Sequence, residues 1–312
     1  MKTYTKTAIA LATSMVLSNA ALAAGPLSND LITVYGKVNV TLQSDDTDER
    51  ETNLESNASR IGIKGGLKID DGLTAIYQLE WQVDVADDED DNFKSRNQWV
   101  GLKGNLGSVM LGRNDTALKK SQGKVDLFSD YNGDIKVLFS GENRLDDTVT
   151  YISPTFNGFK VRATLIAEDS KKSEGETGTS IALMYGDSGL KKSKFYAAIA
   201  LDSDVAGSDT ARVTVSGKIG DLKLGAMFND SEYADGSSDG DGFLVSAAYN
   251  VGKVTYKAQY QDSDDKVEAE SFSLGVDYKL AKSFKLTAFY TDFSYEDNSD
   301  ADHLAIGMEY KF

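Results

Sequence analysis

The sequence predicts an all-β fold, a sixteen-stranded antiparallel transmembrane β-barrel, and three observations predict it. First, apolar and polar residues alternate along most of the chain. Ile32, Val34, Val38, Val40 and Leu42 stand against Thr33, Tyr35, Lys37, Asn39 and Thr41, the period of a strand. Second, short and long connections alternate, the pattern of a barrel with turns at one rim and loops at the other. Third, the polar face carries more Lys, Arg, Glu and Gln than a small packed interior can pair, and buried charge needs a partner or water. A wide barrel meets that need by turning its apolar face to lipid and its polar face to a water-filled lumen.

The strands follow in order. Their expected spans are 31–43, 59–70, 73–84, 95–104, 107–113, 147–153, 158–168, 178–186, 193–202, 210–219, 222–230, 242–251, 253–262, 270–280, 283–293 and 303–312. In the second, Ile61, Ile63 and Leu67 oppose Arg60, Lys64 and Lys68; in the last, Leu304, Ile306, Met308, Tyr310 and Phe312 oppose Ala305, Gly307, Glu309 and Lys311. Asp71-Gly72, Asn105-Leu106, 154–157, 187–192, Gly220-Asp221, Gly252 and Ala281-Lys282 make the short turns. The long loops are expected at 44–58, 85–94, 114–146, 169–177, 203–209, 231–241, 263–269 and 294–302. Pro26 and Pro154 fall outside every ladder, where a missing N–H does no harm. Only 114–130 offers room for a short helical turn. Tyr151, Phe156, Phe159, Tyr249, Phe284, Tyr290 and Phe312 fall near strand ends, as interfacial girdles do.

The N-terminus reads as a targeting segment. Lys2 and Lys6 precede an apolar stretch from Ala8 to Leu17, and Ala21-Leu22-Ala23 closes it, the pattern of a cleaved secretory signal. Residues 1–23 are the expected signal and 24–312 the barrel. The 312 residues carry 49 acidic and 33 basic side chains, a net charge of −16, with one His and no Cys. Disulfides and Cys-ligated metal are excluded. A nucleic-acid partner is not expected of so acidic a chain. No cofactor is implied, since no Gly-rich loop has phosphate-binding spacing.

Several short pieces together resemble the Gram-negative general diffusion porins. They are Val34-Tyr35-Gly36-Lys37, Ser59-Arg60-Ile61-Gly62-Ile63-Lys64-Gly65, Arg96 with Gly101-Leu102-Lys103, Leu111-Gly112-Arg113-Asn114, Thr148-Val149-Thr150-Tyr151, and the terminal Phe312. The resemblance implies a homotrimer in the outer membrane that passes small hydrophilic solutes and ions. It also implies that the long third loop, 114–146, folds into the lumen, where its acids face a basic ladder on the wall. By motif, Lys37, Arg60, Arg96 and Arg113 match the ladder, and Asp126, Asp130 and Asp134 match the loop acids. Parity alone also puts Lys37 and Arg60 on the polar face. It leaves Arg96 ambiguous and puts Arg113 with Val109 and Leu111, unless a bulge re-aims it. Where the family often has a further basic residue this chain has Ile152, with Arg144 or Arg162 as possible substitutes.

Acidic runs such as Asp45-Asp46-Thr47-Asp48-Glu49 and Asp87-Asp88-Glu89-Asp90-Asp91 fall in the loops, as do Asp204, Asp209, Asp235 and Asp239. Carboxylate clusters on an outer surface can bridge to anionic lipopolysaccharide through divalent cations. Their field concentrates cations at the mouth, so weak cation selectivity is expected. An enzyme is not expected, because His303 is the sole imidazole and no nucleophile motif accompanies it. A solute-specific channel would want a lumenal run of aromatics, and the pattern shows none. A barrel that serves only a structural role is the remaining alternative.

Overall fold

The computed structural model describes residues 31–47, 50–87, 92–168, 170, 177–233, 236, 239–297 and 299–312. The expected signal, together with Asp48, Glu49, 88–91 and Asp235, lies outside the described residues. The strands are β1 (Thr33–Asp46), β2 (Arg50–Ser56), β3 (Arg60–Lys68), β4 (Leu73–Val83), β5 (Phe93–Gly104), β6 (Gly107–Asp115), β7 (Arg144–Ile152), β8 (Phe159–Ile166) and β9 (Gly178–Gly186). Then come β10 (Phe195–Ser203), β11 (Ser208–Ile219), β12 (Leu222–Tyr233), β13 (Asp239–Val251), β14 (Val254–Ser263), β15 (Ala269–Lys279), β16 (Phe284–Tyr295) and β17 (Ala301–Lys311).

Each strand pairs antiparallel with its neighbours, and β17 pairs with β1 to close the ring. Both β2 and β3 pair with β1. They are two halves of one stave, so the barrel has sixteen staves. The break falls at Asn57-Ala58-Ser59, where Ala58 takes a left-handed φ of 47°. It is pinned to β1, since Asn57 N donates to Asn39 O at 2.8 Å and Ser59 Oγ accepts from Asn39 N at 2.9 Å. Closure leaves no strand edge, so every ladder group is met without a packed core.

Two motifs meet at the seam. Gly36 and Phe312 exchange backbone hydrogen bonds of 3.1 Å. A Cβ on Gly36 would come within 2.5 Å of both the Phe312 ring and Arg60 O. Glycine is therefore required where the terminal aromatic lies over the first strand.

Burial follows the predicted inversion. Val38, Leu42, Leu111, Leu165, Ile199, Val213 and Leu274 are exposed on the outer face, while Asn39, Thr41, Thr148, Thr164, Arg212 and Ser273 are buried on the inner one. Tyr151, Phe156, Phe159, Tyr249, Tyr290 and Phe312 are exposed near strand ends, at girdle positions.

Most of the long loops are shorter than the pattern suggests. The expected loop 44–58 is largely a paired hairpin, because β1 runs on to Asp46 and β2 returns from Arg50. Beyond the lipid both faces of a strand meet water, so hydrophobic alternation lapses while backbone pairing continues.

Candidate functional site: the narrowed lumen

The longest connection, 116–143, joins β6 to β7 and turns inward. It opens with α1 (Ala117–Ser121), whose first N–H groups are capped by Thr116, its Oγ1 accepting from Lys119 N at 3.2 Å. This is the short helix that 114–130 left room for. The reason for turning inward is apolar content. Leu118, Val125, Phe128, Tyr131, Ile135, Leu138 and Phe139 are all buried, and a loop in water would leave them exposed. The wall of β9 to β17 offers matching patches. Leu118 packs with Ala182, Met184, Ala198 and Ala200. Val125, Ile135, Leu138 and Phe139 pack with Met227, Leu244 and Phe293, and Phe128 and Tyr131 with Phe289. Full burial of each large side chain stabilises the seat by about 1.5–3 kcal/mol. A Cβ on Gly275 would lie 2.9 Å from the Phe128 ring, so the wall is bare where the loop presses closest.

Polar clamps fix the loop's register. Gln259 accepts from Leu127 N at 2.8 Å and donates to Gly133 O at 2.9 Å. Ser246 Oγ donates to Val125 O at 2.6 Å. Near the loop's end, the fully buried Arg212 reaches Glu142 at 2.6 Å and Ser140 O at 2.8 Å. Asp265 accepts from Ser140 N and Oγ, both at 2.7 Å.

With the loop against one wall, the open space is a cavity of about 1220 Å³ bounded by the loop and chiefly by β1 and β3 to β6. The residues proposed from sequence fall into three groups. Lys37, Arg60 and Asp130 come together, Lys37 Nζ lying 2.8 Å and Arg60 Nη2 3.1 Å from Asp130 Oδ2. Asp130 sits at φ 71°, a conformation Asp tolerates better than most residues. Arg96 lines the cavity but pairs on the wall, its Nε 2.7 Å from Glu80 Oε1. A register shift between Leu79 and Trp81 explains why simple parity was ambiguous there.

Arg113 does not line the cavity; it faces Asp146 at 3.7 Å. The pairing of β6 with β7 shifts between Gly112 and Asn114, so an irregularity does fall at Arg113. Arg144 and Arg162 both line the cavity and converge on Asp115, at 2.8 Å to its carboxylate and 2.7 Å to its carbonyl.

Asp126 and Asp134 border the cavity but act within the loop. Asp126 accepts from Phe128 N at 2.9 Å and Ile135 N at 3.3 Å. Asp134 accepts from Asp130 N at 2.7 Å and caps a 3₁₀ turn through Lys136 N at 2.9 Å. Burial, and then the neighbouring Asp134, push the Asp126 carboxyl well above the usual range. Burial also pushes Asp130 up, but Lys37 and Arg60 outweigh it and hold Asp130 below the usual range. The clasp is thus fully present above the ordinary Asp value near 3.9. It is lost only as pH falls through the lowered one.

Sequence reasoning missed how far the ion pairs extend. Lys257 lies 3.2 Å from Asp277, and Asp277 3.2 Å from Lys285. Lys285 lies 3.8 Å from Glu309, and Glu309 3.8 Å from Lys37. Signs therefore alternate from β14 across the closing seam to β1. Period-two alternation put Lys257, Asp277 and Glu309 on the polar face. Their mutual distances depend on cross-strand register, which no single strand encodes.

A closed ring of strands, apolar outside, with a charged lumen narrowed by an inward loop, is a transmembrane pore-type barrel. The chain belongs to the Gram-negative porin family, whose profile matches residues 7–301, and it is an outer-membrane protein. It is 31% identical to the major outer membrane protein P.IB of Neisseria sicca over 157 residues, covering 46% of this chain and 44% of that one. It is 28% identical to a monosaccharide porin of a Halomonas species over 264 residues, covering 78% of this chain and 67% of that one. The chain thus spans under half the length of the Neisseria relative. The fold is shared with an anion-selective porin from Comamonas acidovorans at a TM-score of 0.78 and 19% identity, covering 90% of this chain and 99% of that one. It is also shared with Salmonella typhi OmpF at 0.77 and 16%, covering 92% and 100%.

Proposed function

We propose that the chain forms a passive channel for small hydrophilic solutes and ions, acting as a homotrimer after removal of residues 1–23. The observation that carries this is the cavity of about 1220 Å³ inside a closed wall, lined mainly by charged and polar side chains. Lys37, Arg60, Arg96 and Asp130 form the constriction in this reading. Single-channel recording of the folded protein in a planar bilayer tests it. Ohmic steps grouped in threes are expected, and silence overturns it.

The general channel is preferred to a solute-specific one because the lumenal tyrosines are engaged. Tyr35 Oη donates to Glu80 at 3.0 Å and Tyr131 Oη to Asn39 at 3.3 Å. Lipid and lipopolysaccharide are the outer partners, with the loop acids bridging to lipopolysaccharide through divalent cations. A lower melting temperature in chelator is the expected sign, and indifference to chelator removes the bridge from the proposal.

Selectivity is a contest between mouth and lumen. The acidic loops favour cations, as the sequence suggests. The described cavity lining carries thirteen basic and ten acidic side chains, a formal surplus of three positive charges that opposes them. The Debye length falls from about 30 Å at 0.01 M salt to about 3 Å at 1 M, so the mouth field is screened before that of the narrow lumen. The permeability ratio is expected to move toward anions as salt rises over that range. A reversal potential that gains cation preference with salt contradicts this reading.

A further inference from the structure

The charges of the barrel are sorted along its axis. Short turns mark the inner, periplasmic rim and long loops the outer one. At the inner rim, lysines recur on the lumenal face of stave after stave. Lys160 shares the parity of buried Arg162, Lys218 that of Ser216, and Lys223 that of Met227. Lys218 and Lys223 stand directly opposite one another in the register of β11 and β12, and Lys279 stands opposite Lys285 in that of β15 and β16. Lys253, Lys279, Lys282, Lys285 and Lys311 line a rim cleft of about 240 Å³ whose only carboxylates, among the described residues, are Asp277 and Glu309. The sheet gains nothing from lysine against lysine, since like charges directly opposite destabilise it.

The carboxylates of this rim are engaged elsewhere. Asp277 is held by Lys257 and Lys285 at 3.2 Å each, Glu309 by Lys311 at 2.8 Å and Asp71 by Lys68 at 2.6 Å. Asp187 accepts from the N–H groups of Gly189, Lys191 and Lys192. Asp70 and Asp221 are exposed in their turns. Among the described residues no carboxylate comes within ion-pair distance of Lys160, Lys218, Lys223, Lys253 or Lys279.

The outer mouth has the opposite sign. Asp45 and Glu55 line the cavity there, and Glu51 stands opposite Asp45 in the outer hairpin. Burial, and then Asp45, Asp87 and Asp84, push the Glu55 carboxyl above the usual range, so these acids feel one another's charge. Arg50 beside them is spent on Asp46 at 2.7 Å. Asp204, Asp209, Asp264 and Asp297 add to the acidity of the outer loops, against Lys136 and Lys266.

We propose that the channel is a rectifier, polarised along its axis by an acidic outer mouth and a basic inner one, which passes more current when the outer side is positive. The inference rests on the channel reading and deepens it. An acidic segment carries mainly cations and a basic segment mainly anions. With the outer side positive, cations enter through the acidic mouth and anions through the basic one. Both crowd into the constriction between them, and conductance rises. With the periplasmic side positive, each mouth draws its own carriers out, and the constriction is refilled only through a mouth of the wrong sign. At high salt both fields are screened and the steps are ohmic.

The test uses single channels of the folded protein in planar bilayers with equal salt on both sides. The chain has no Cys, so Ser299→Cys, in an outer loop, marks orientation. A thiol-reactive polyethylene glycol too large for the pore disturbs the current only from the chamber that the outer loops face. The ratio of currents at opposite voltages is expected to be about two at about 0.01 M salt and about one at about 1 M, where the Debye length is only about 3 Å. Replacing Lys218, Lys223 and Lys279 together by Gln is expected to bring the low-salt ratio close to one. Arg50→Gln makes a charge change of the same sign at the other mouth and is expected not to lower it. A wild-type ratio of one at low salt, or a larger current with the outer side negative, overturns the inference and leaves the channel reading intact. Rectification undiminished in the triple variant also overturns it. If that variant fails to fold, the wild-type salt series decides, and a ratio indifferent to salt overturns the inference. A silent wild-type protein removes the channel reading and this inference together.

Discussion

Glu142→Gln is expected to unseat the end of the inward loop, at a cost of about 3–5 kcal/mol, the scale for breaking a buried ion pair from one side. Arg212 has no exposed surface, and its three donor groups are spent on Glu142, Ser140 O and Asn229 Oδ1 at 2.6, 2.8 and 2.8 Å. Glutamine can still accept one hydrogen bond, but it leaves the guanidinium uncompensated in a buried site. It also ends the charge-assisted bond that Gln122 Nε2 makes to Glu142 at 2.8 Å. The barrel ladders stay intact, so the loss falls on the loop. The expected signs are a lower melting temperature, protease cleavage within 116–143 and noisier open-channel current. Replacing both partners, Arg212→Met with Glu142→Leu, is expected to recover part of the stability, since the buried guanidinium is then gone, while Lys119, 3.9 Å from Glu142, still loses that partner. If Glu142→Gln melts like wild type with the loop protected, Asp265 and its two bonds to Ser140 carry the clamp instead.

Much of the barrel was legible because its rules are local. Alternation at β11 or β14 needs only neighbouring side chains, and the same parity that exposes Val213 and Val215 buries Arg212 and Thr214. The hairpin of β1 and β2 was not legible as strand. Gln43, Ser44 and Asp45 face Asn53, Thr52 and Glu51, so neither face offers the apolar signal that parity reads. The site was legible to the extent that it lies on regular strand. Lys37 and Arg60 sit opposite one another in the register of β1 and β3. Arg96 and Arg113 lie beside register shifts, where parity fails. Asp126 and Asp134 show another limit. A loop acid has no period, so nothing in its sequence position separates a carboxylate that faces the pore from one that binds its own backbone.

The two halves of the lumen do different work in this architecture. The wall from β9 to β17 holds the loop, through Leu244, Phe289 and Phe293 and the amides of Gln259 and Gln261, and among its described residues only Lys257, Asp277, Lys285, Glu309 and Lys311 reach the cavity. The opposite wall, β1 and β3 to β6, keeps its charges facing water. An apolar seat permits a charged eyelet, because the loop's position then owes less to the pairs across the gap. Lys37 is buried, and Arg60 and Asp130 are only partly exposed, so these pairs add to the hold, but the seven buried apolar side chains of the loop carry more of it. The pairs can therefore tune ion passage while the seat keeps the loop in place.

That separation makes Asp130→Asn the sharpest probe of passage. Asparagine keeps the size of the side chain and tolerates the left-handed φ of 71° at this position. It leaves the backbone bond from Asp130 N to Asp134 in place. What it removes is the one carboxylate shared by Lys37 and Arg60. Lys37 retains only Glu309, at 3.8 Å. The lining surplus rises from three positive charges to four. A charge in water at about 4 Å is worth about 1 kcal/mol, so the chloride-to-potassium permeability ratio is expected to rise about fivefold. Melting should also fall, because the buried Lys37 keeps only Glu309, but by less than for Glu142→Gln, because Arg60 and Asp130 are partly exposed and the loop is held by its apolar seat. The difference between variant and wild type is also expected to depend on pH with a definite sign. It persists above the ordinary Asp value, because Lys37 and Arg60 keep Asp130 ionised there, and it vanishes as pH falls through the lowered value and the wild-type carboxylate becomes neutral. Equal permeability ratios at neutral pH remove Asp130 from the constriction. A difference that survives full acidification means that the substitution moved the loop rather than a charge.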